Sequence, residues 1–325
     1  MPFPMPVVMA EAPIIERPDR SEERALGITI GLLALIYVVL FFSGTRFFVM
    51  KTAVLPLVLA YGVLNRDRVA FVTDWAPLLG GVILFDAVRG GIWYVISSGH
   101  HPYYIDYVIE LERLIFRTPA APLLLQMFRT RPLDLVAVLL HASHFAFFIL
   151  FAIVLWQRQR RHFGLFARSL GLVMLFGLIG YAVIPTAPPW IAALPRFGRL
   201  PAIPHVVEGV YTVLVPDLFD TFATNPVAAM PSLHAAFPTL CTLTAWRAYG
   251  RTAGTFVGIY TFAMMVAVMY LGEHYAVDVL AGAVLAAIAF AVGRRIRVQP
   301  LTLRGSLALG AAALVATAVI VTATH

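Results

Sequence analysis

Two segments of the sequence combine histidine with the groups that make histidine chemically useful. Residues 230–234 read Met-Pro-Ser-Leu-His, and a second segment contains His274 followed four positions later by Asp278. Side chains at positions i and i+4 of a helix lie on one face. Asp278 can therefore accept a hydrogen bond from one ring nitrogen of His274, which fixes the tautomer and leaves the other nitrogen able to attack an electrophile. The spacing predicts a nucleophilic histidine with an orienting carboxylate.

The segment around His234 predicts an anion-binding helix start. Pro231 suits the first turn of a helix, where a missing N–H costs nothing. The other N–H groups of that turn, and the positive end of the helix dipole, would face an anion near Ser232 and His234. A second helix start at His274 would complete a phosphate site without a metal. Either histidine alone would favour a purely structural role, but the pair, together with Asp278, favours chemistry.

The elements that carry these residues are predicted to cross a membrane. Apolar residues make up 60% of the 325-residue chain, charged residues make up 13%, and the mean hydropathy is +0.84. So few charges cannot coat a soluble globule of this size, and several apolar runs approach the roughly 20 residues that a membrane-spanning helix needs. The sequence predicts an all-α, polytopic bundle of about nine spans, at 25–43, 47–64, 69–96, 133–156, 166–187, 231–248, 253–272, 274–293 and 302–322.

Basic residues set the predicted orientation. With the N-terminus inside, fifteen arginines fall in one set of loops and eight basic residues in the other, and the fifteen lie in the shorter connections. The arginine-rich side is then cytoplasmic, and both histidine motifs face away from the cytoplasm of a plasma (inner) membrane. Because the basic residues lie in short bunches between apolar runs, a nucleic-acid partner is excluded despite the net charge of +7.

The predicted organisation is one domain with two long outer segments. Residues 1–24 are predicted to be a disordered cytoplasmic tail, and residues 25–325 a single transmembrane domain with its catalytic core at about 85–293. Residues 103–117 carry charges at helical spacing, which predicts an amphipathic helix in the outer interface. That helix either closes the fold or lines a lateral entrance for lipid. The prolines of residues 185–190, a segment that ends at Trp190, exclude a helix and predict a stiff extended loop.

The run Pro231-Ser232-Leu233-His234 and the run from His274 to Asp278 resemble the second and third signature motifs of the type 2 phosphatidic acid phosphatase superfamily. Leu233, where phosphatases usually have Gly, and Tyr275 after the histidine are similar to the branch that includes inositol phosphorylceramide synthase. The resemblance implies that His274 forms a phosphohistidine, that Asp278 orients it, and that His234 protonates the leaving alcohol.

The sequence departs from the phosphatase pattern in its positive charges. Phosphatases of this superfamily have an Arg six residues before the nucleophile, where this chain has Val268, and no Lys-x6-Arg-Pro run is found. These departures favour the transferase branch. Arg89 is predicted to offset the phosphate charge instead. The alternative, an internal ion pair between Arg89 and Asp86 one turn away, is equally compatible with the sequence.

The remaining polar residues of the spans complete the predicted site. His141 and His144 have i, i+3 spacing, but zinc takes three or four ligands and no third ligand at a suggestive spacing accompanies them. His144 either lines the head-group cavity or is a satisfied bundle histidine. No metal and no cofactor is predicted, and the predicted substrate-binding residues are Ser232, Arg89, Tyr275 and His144.

These observations predict a membrane-embedded lipid phosphotransferase. Its partners would be a phospholipid donor, a lipid or polyol acceptor and the surrounding membrane lipids, with phosphoinositol as one candidate for the transferred group. The alternative is a lipid phosphate phosphatase, in which water is the acceptor. A channel or transporter is disfavoured because polar residues do not thread consecutive spans. A CDP-alcohol phosphotransferase is disfavoured because a run of acidic metal ligands is missing.

Overall fold

The computed structural model describes residues 67–99, 102–209, 225–297 and 301–324, with single positions at 58, 61, 62, 64 and 299. Over these ranges the chain is helical, and extended pairing is limited to isolated bridges from Thr186 to Tyr104 and to Ala228. The predicted all-α class is confirmed. The predicted tail at 1–24, the span at 25–43 and most of the span at 47–64 lie outside the described residues.

The helices are named here in chain order. They are α1 (Arg68–Ser97), α2 (Asp106–Phe116), α3 (Ala121–Gln126), α4 (Arg131–Arg158), α5 (Arg160–Val183), α6 (Pro189–Ala192), α7 (Leu233–Tyr249), α8 (Arg251–Tyr270), α9 (Ala276–Gly293) and α10 (Leu303–Thr324).

Six of these helices, α1, α4, α5, α8, α9 and α10, are long and apolar enough to cross a membrane. The chain is therefore a multi-pass membrane protein. The helix α7 coincides with another predicted span, but with 17 residues it is shorter than any of these six helices and extends only about 25 Å. The predicted count of nine spans is not confirmed, because in the described ranges six helices are long and apolar enough to cross a membrane.

The short helix α7 lies at the centre of the bundle. It packs against α8, α9, α5 and α4, and it buries Phe237, Leu240 and Cys241 in the main apolar core. Its neighbours therefore shield α7 on several sides, so its length need not match the hydrocarbon thickness. The bundle holds the start of α7, and with it His234, beside the start of α9.

A layer of short elements covers this end of the bundle. The predicted amphipathic helix is present as α2, and α3 and α6 lie in the same layer. The extended loop predicted through Trp190 is wrong in one respect, because Pro189 begins the short helix α6. Proline suits that first helical position since its missing N–H would have no partner there.

Candidate active site

The two predicted catalytic histidines lie in contact. His234 is the second residue of α7, and His274 lies two residues before α9. The Nδ1 atom of His234 is 3.2 Å from the Nε2 atom of His274, and the ring centroids are 5.4 Å apart. His274 is buried. Two segments forty residues apart in the sequence thus bring two ring nitrogens within hydrogen-bonding distance.

Asp278 lies behind the other nitrogen of His274. Its Oδ2 atom is 3.6 Å from His274 Nδ1, which is longer than a hydrogen bond and within reach of one after a shift of about 0.5 Å. The same oxygen accepts a hydrogen bond from the Tyr275 N–H at 2.9 Å. Asp278 therefore faces Nδ1 of His274, and the nitrogen that faces His234 is Nε2.

The backbone around His234 is seated by two glycines. A Cβ on Gly180 of α5 would lie 2.6 Å from Pro231 Cδ, and a Cβ on Gly282 of α9 would lie 2.1 Å from the Ser232 carbonyl oxygen. The Ser232 N–H also donates to the Asp278 carbonyl at 3.0 Å. Only glycine permits the backbones of α5 and α9 to lie this close to Pro231 and Ser232. These two contacts therefore fix the position of the start of α7, and with it His234, relative to His274.

The helix starts differ from the sequence-based expectation. Pro231 was expected in the first turn of α7, but the helix begins at Leu233 with Ser232 as its N-cap, and the Pro231 ring packs against Gly180 before the helix begins. At the start of α9, the Val277 N–H donates to the Glu112 carboxylate and is therefore not available to a substrate phosphate. The N–H groups of the first turn of α7 have no acceptor inside that helix. They are the better anion donors.

The pair of histidines on α4 packs against His234. The His144 ring lies 4.5 Å from the His234 ring and the His141 ring lies 4.6 Å from it, centroid to centroid. His144 is buried, and its Nδ1 atom has no hydrogen-bond partner in the described structure. No group of three or more His, Cys, Asp or Glu residues in the described ranges could hold a metal ion. The pair contacts the predicted acid histidine.

Arg89 makes the ion pair that the sequence left open. Its Nη2 atom is 3.3 Å from Asp86 Oδ1, and its carbonyl accepts a hydrogen bond from Asn225 at 3.2 Å. The guanidinium also lies within electrostatic range of His144 and His234. The two alternatives are therefore compatible, because a paired guanidinium can still offset an anion nearby. Its role in binding substrate stays a prediction.

The other two predicted substrate-binding residues are buried. The Ser232 Oγ atom, in the first of the two motifs, is buried without a hydrogen-bond partner in the described structure. The Tyr275 ring packs in an apolar cluster with Val108 and Ile109 of α2 and with Val277. Tyr275 is thus directed toward the covering layer, whereas Ser232 lies at the start of the helix that carries His234.

Sequence reasoning missed a polar cluster beside the nucleophile. The carboxylate of Glu273, the residue before His274, is 3.1 Å from His205 Nε2. His205 Nδ1 is 2.8 Å from Glu208, and the Trp190 ring stacks on His205 with centroids 3.9 Å apart. Burial lowers the pKa of His205, but hydrogen bonds and charge from Glu273 and Glu208 outweigh burial and leave the pKa raised. Nothing in the spacing of loop residues marks His205.

The second missed residue is Glu112 of α2, which is fully buried. Burial raises its pKa, and hydrogen bonds from Ala121 and Val277 offset part of that rise. A sequence signal exists in this case. Glu112 follows Val108 and Ile109 at i+4 and i+3, so a carboxylate interrupts the apolar face of an amphipathic helix.

Comparison with known families decides the relationship. Residues 106–292 match the PAP2 superfamily, and this match covers more than half of the chain. The chain belongs to the PAP2 superfamily. The superfamily predicted from the two motifs is confirmed.

Three relatives of this PAP2 superfamily member support the predicted branch. It is 33% identical over 145 residues to the catalytic subunit of inositol phosphorylceramide synthase from Schizosaccharomyces pombe, covering 42% of this chain and 33% of that protein. It is 31% identical over 147 residues to phosphoinositol dihydroceramide synthase from Bacteroides thetaiotaomicron, covering 41% and 47%. It is 30% identical over 129 residues to the Saccharomyces cerevisiae catalytic subunit of inositol phosphorylceramide synthase, covering 37% and 31%. The matches span about a third to a half of these relatives, and no solved structure matches the chain significantly.

The departure from phosphatases at Val268 has a structural consequence in this PAP2 superfamily member. The Val268 side chain is fully buried in an apolar cluster with Met264 and Val279. Its carbonyl accepts hydrogen bonds from the N–H groups of Glu273 and His274, at 3.0 and 3.3 Å. Position 268 therefore shapes the nucleophile loop through its backbone and supplies no charge.

Proposed function

We propose that this PAP2 superfamily member is a membrane-embedded lipid phosphotransferase, in which His274 is the nucleophile, His234 the acid and base, and Asp278 the orienting carboxylate. One observation carries the proposal. The Nε2 atom of His274 meets His234 Nδ1 at 3.2 Å while Asp278 faces the opposite nitrogen at 3.6 Å. Nucleophile, proton carrier and orienting group are thus adjacent in the order that covalent catalysis by histidine requires.

In the first half-reaction, the Nε2 lone pair of His274 attacks the phosphorus of a donor phospholipid. A P–N bond forms as the ester P–O bond to the diacylglycerol-like alcohol breaks. His234 gives its proton to the departing oxygen. Asp278 stabilises the positive charge that develops on the His274 ring. The products are a phosphohistidine that carries the head group and a neutral lipid alcohol.

In the second half-reaction, an acceptor hydroxyl attacks the same phosphorus. His234 removes the hydroxyl proton, the new P–O bond forms, and the P–N bond breaks to return neutral His274. Splitting one displacement into two steps through a covalent intermediate lets a single acid–base residue serve both. Water in place of the acceptor would turn the same cycle into hydrolysis.

The resting site must open to admit the phosphate. Reacting atoms in a near-attack geometry are about 3–3.5 Å apart, so a phosphorus and its oxygens cannot fit between two nitrogens separated by 3.2 Å. The donor phosphate therefore replaces the hydrogen bond between the two histidines. The first turn of α7, Ser232 and Arg89 are the proposed donors to its oxygens, and His144 is the proposed support for His234.

The names of the relatives favour phosphoinositol as the transferred group. Two of them are inositol phosphorylceramide synthase subunits and the third is a phosphoinositol dihydroceramide synthase. We therefore propose an inositol phospholipid donor and a lipid alcohol acceptor, without a cofactor. The positive-inside distribution further supports a site on the non-cytoplasmic face of a plasma membrane. The proposed catalytic core is about 85–293.

Product analysis tests the function. Purified protein would be incubated with a mixture of isotope-labelled phospholipids and a library of lipid and polyol alcohols, and the products identified by mass spectrometry, with His274→Ala as the control. The expected products are a labelled phospho-head-group on one alcohol and the released diacylglycerol. Release of free head-group phosphate alone would instead identify a phosphatase. Equal products from His274→Ala would exclude the mechanism.

A further inference from the structure

Glu112 joins the covering layer to the nucleophile helix. Its Oε1 atom accepts a hydrogen bond from the Val277 N–H at 2.8 Å, and its Oε2 atom accepts one from the Ala121 N–H at 2.8 Å. Val277 is the second residue of α9 and Ala121 is the first residue of α3. One carboxylate thus bonds to the N-terminal turns of two helices at once.

The apolar surroundings of Glu112 make the burial of its carboxylate energetically unfavourable. Glu112 is fully buried beside the apolar cluster of Val108, Ile109, Tyr275 and Val277. A buried carboxylate is strongly unfavourable unless it is hydrogen-bonded. Two charge-assisted bonds at the positive ends of helix dipoles supply that compensation. With both oxygens engaged and no exposed surface, Glu112 acts through the groups that it holds.

The nucleophile loop is held at both of its ends by the covering layer. The loop that contains His274 runs from the end of α8 at Tyr270 to the start of α9 at Ala276. On the first side, the Gln126 amide of α3 donates to the Tyr270 carbonyl at 2.5 Å. On the second side, Glu112 holds Val277. Ala121 begins the helix that ends at Gln126, so Glu112, which is one support of the loop, is also bonded to the helix that carries the other support.

We propose that Glu112 is a positioning residue that fixes the first turn of α9, and through it the placement of His274 and Asp278 opposite His234. The role rests on the proposed function of those three residues. Val277 is the immediate neighbour of Asp278, and Asp278 bonds back to the Tyr275 N–H beside His274. A loss of the Val277 contact therefore moves the nucleophile and its orienting carboxylate together.

The test compares Glu112→Gln with Glu110→Gln. Glu110 lies on the same helix, but it is exposed and pairs with the exposed Arg113. A glutamine at 112 has one acceptor oxygen, so one of the two N–H groups would face an amide NH₂ instead. Misplacement of a reacting group by about 1 Å can cost on the order of 100-fold in rate. We expect kcat to fall roughly 10- to 100-fold in Glu112→Gln, with KM for labelled phosphatidylinositol within about threefold, and no change in Glu110→Gln.

Hydrogen exchange supplies a readout that does not depend on the proposed function. Backbone amides of residues 271–278 should exchange faster in Glu112→Gln than in the wild type, while α4 and α5 exchange equally in both. This comparison holds even if the wild type fails to turn over any lipid tried, which would refute the proposed function instead. Unchanged exchange in 271–278, or an unchanged kcat, would overturn the positioning role. Loss of folded protein in both Glu112→Gln and Glu112→Asp would also overturn it, because the contact would then be required for folding.

Discussion

The substitution Gly282→Ala tests how closely the two catalytic segments must approach. The added Cβ would lie 2.1 Å from the Ser232 carbonyl oxygen and 3.0 Å from its carbonyl carbon. A Cβ atom essentially never lies within 3.0 Å of a non-bonded atom, so the backbones at Ser232 and at position 282 must separate by about 0.9 Å. Backbone atoms cannot rotate out of the way as the end of a flexible side chain can.

The displacement falls directly on the catalytic pair. Ser232 lies two residues before His234, and its N–H is bonded to the Asp278 carbonyl, so separating α7 from α9 changes the contact of His234 with His274. A shift of about 1 Å corresponds to a rate loss on the order of 100-fold. Overpacking of this kind destabilises a fold by roughly 1–3 kcal/mol, which leaves a folded protein when the wild type is stable.

The assay is steady-state turnover of the purified variant in detergent, with thermal unfolding measured alongside. Gly171→Ala on α5 is the matched control, because a Cβ there meets nothing within 4 Å, and it should keep wild-type turnover. We expect kcat of Gly282→Ala to fall about 100-fold while its melting temperature drops by a few degrees. Wild-type kcat in Gly282→Ala would show that the close approach of the two helices is not needed for activity.

Three further predictions follow from other parts of the site. His234→Ala should reduce kcat by at least about 100-fold because the proton donor is lost, and retention of a tenth of wild-type activity would exclude this role. Because the pKa of His205 is raised, its ion pairs stabilise the fold at pH values below about 6.5, and this stabilisation is lost as the pH rises through the pKa of the folded state. Because the pKa of Glu273 is lowered, its contribution to stability is present at pH values above about 4.5 and is lost as the pH falls. The melting temperature should therefore decline from pH 6 to pH 9 in the wild type and decline less in His205→Gln, and equal slopes would contradict this. An impermeant thiol reagent added to intact cells should label Glu110→Cys but not Arg251→Cys, and the reverse pattern would invert the topology.

The proximity of the two histidine motifs could be predicted because chemistry and spacing constrain it directly. The i, i+4 spacing of His274 and Asp278 requires a shared helix face, and one intervening span requires that the starts of α7 and α9 lie at the same end of the bundle. The structure has the second feature, with His234 and His274 in contact. The first was wrong in detail, because His274 lies two residues before α9 and Asp278 faces it from the first turn of that helix at 3.6 Å. Hydropathy likewise predicted the positions of the long helices, since a lipid-facing helix must be apolar.

The surroundings of His234 could not be predicted because they depend on how helices rotate and tilt. From the sequence, His141 and His144 lacked a third ligand for a metal site, and His144 could either line the head-group cavity or be a satisfied bundle histidine. Only the packing of α4 on α7 turns both rings toward His234. The close approach of Gly282 to the Ser232 carbonyl could not be predicted from the sequence either, because a glycine in an apolar helix does not indicate which residue packs against it.

The supports of the nucleophile loop were missed for a different reason. Helix starts predict anion-binding N–H groups, but a carboxylate from elsewhere in the chain can take them first. Glu112 does so at Val277, and this pairing over 165 residues has no local signature. The position of Pro231 was also not predicted, because α7 begins two residues after it and its ring packs against Gly180.

Trapping of the covalent intermediate tests the central claim most directly. Purified protein would be mixed briefly with a donor phospholipid labelled at phosphorus, in the presence of a chelator, and quenched in alkali, where phosphohistidine survives. The account predicts label on the peptide that contains His274, increased when the acceptor is withheld and lost in His274→Ala but not in the control Glu110→Gln. Unlabelled protein during active turnover, or label that persists in His274→Ala, would contradict a histidine nucleophile at this position.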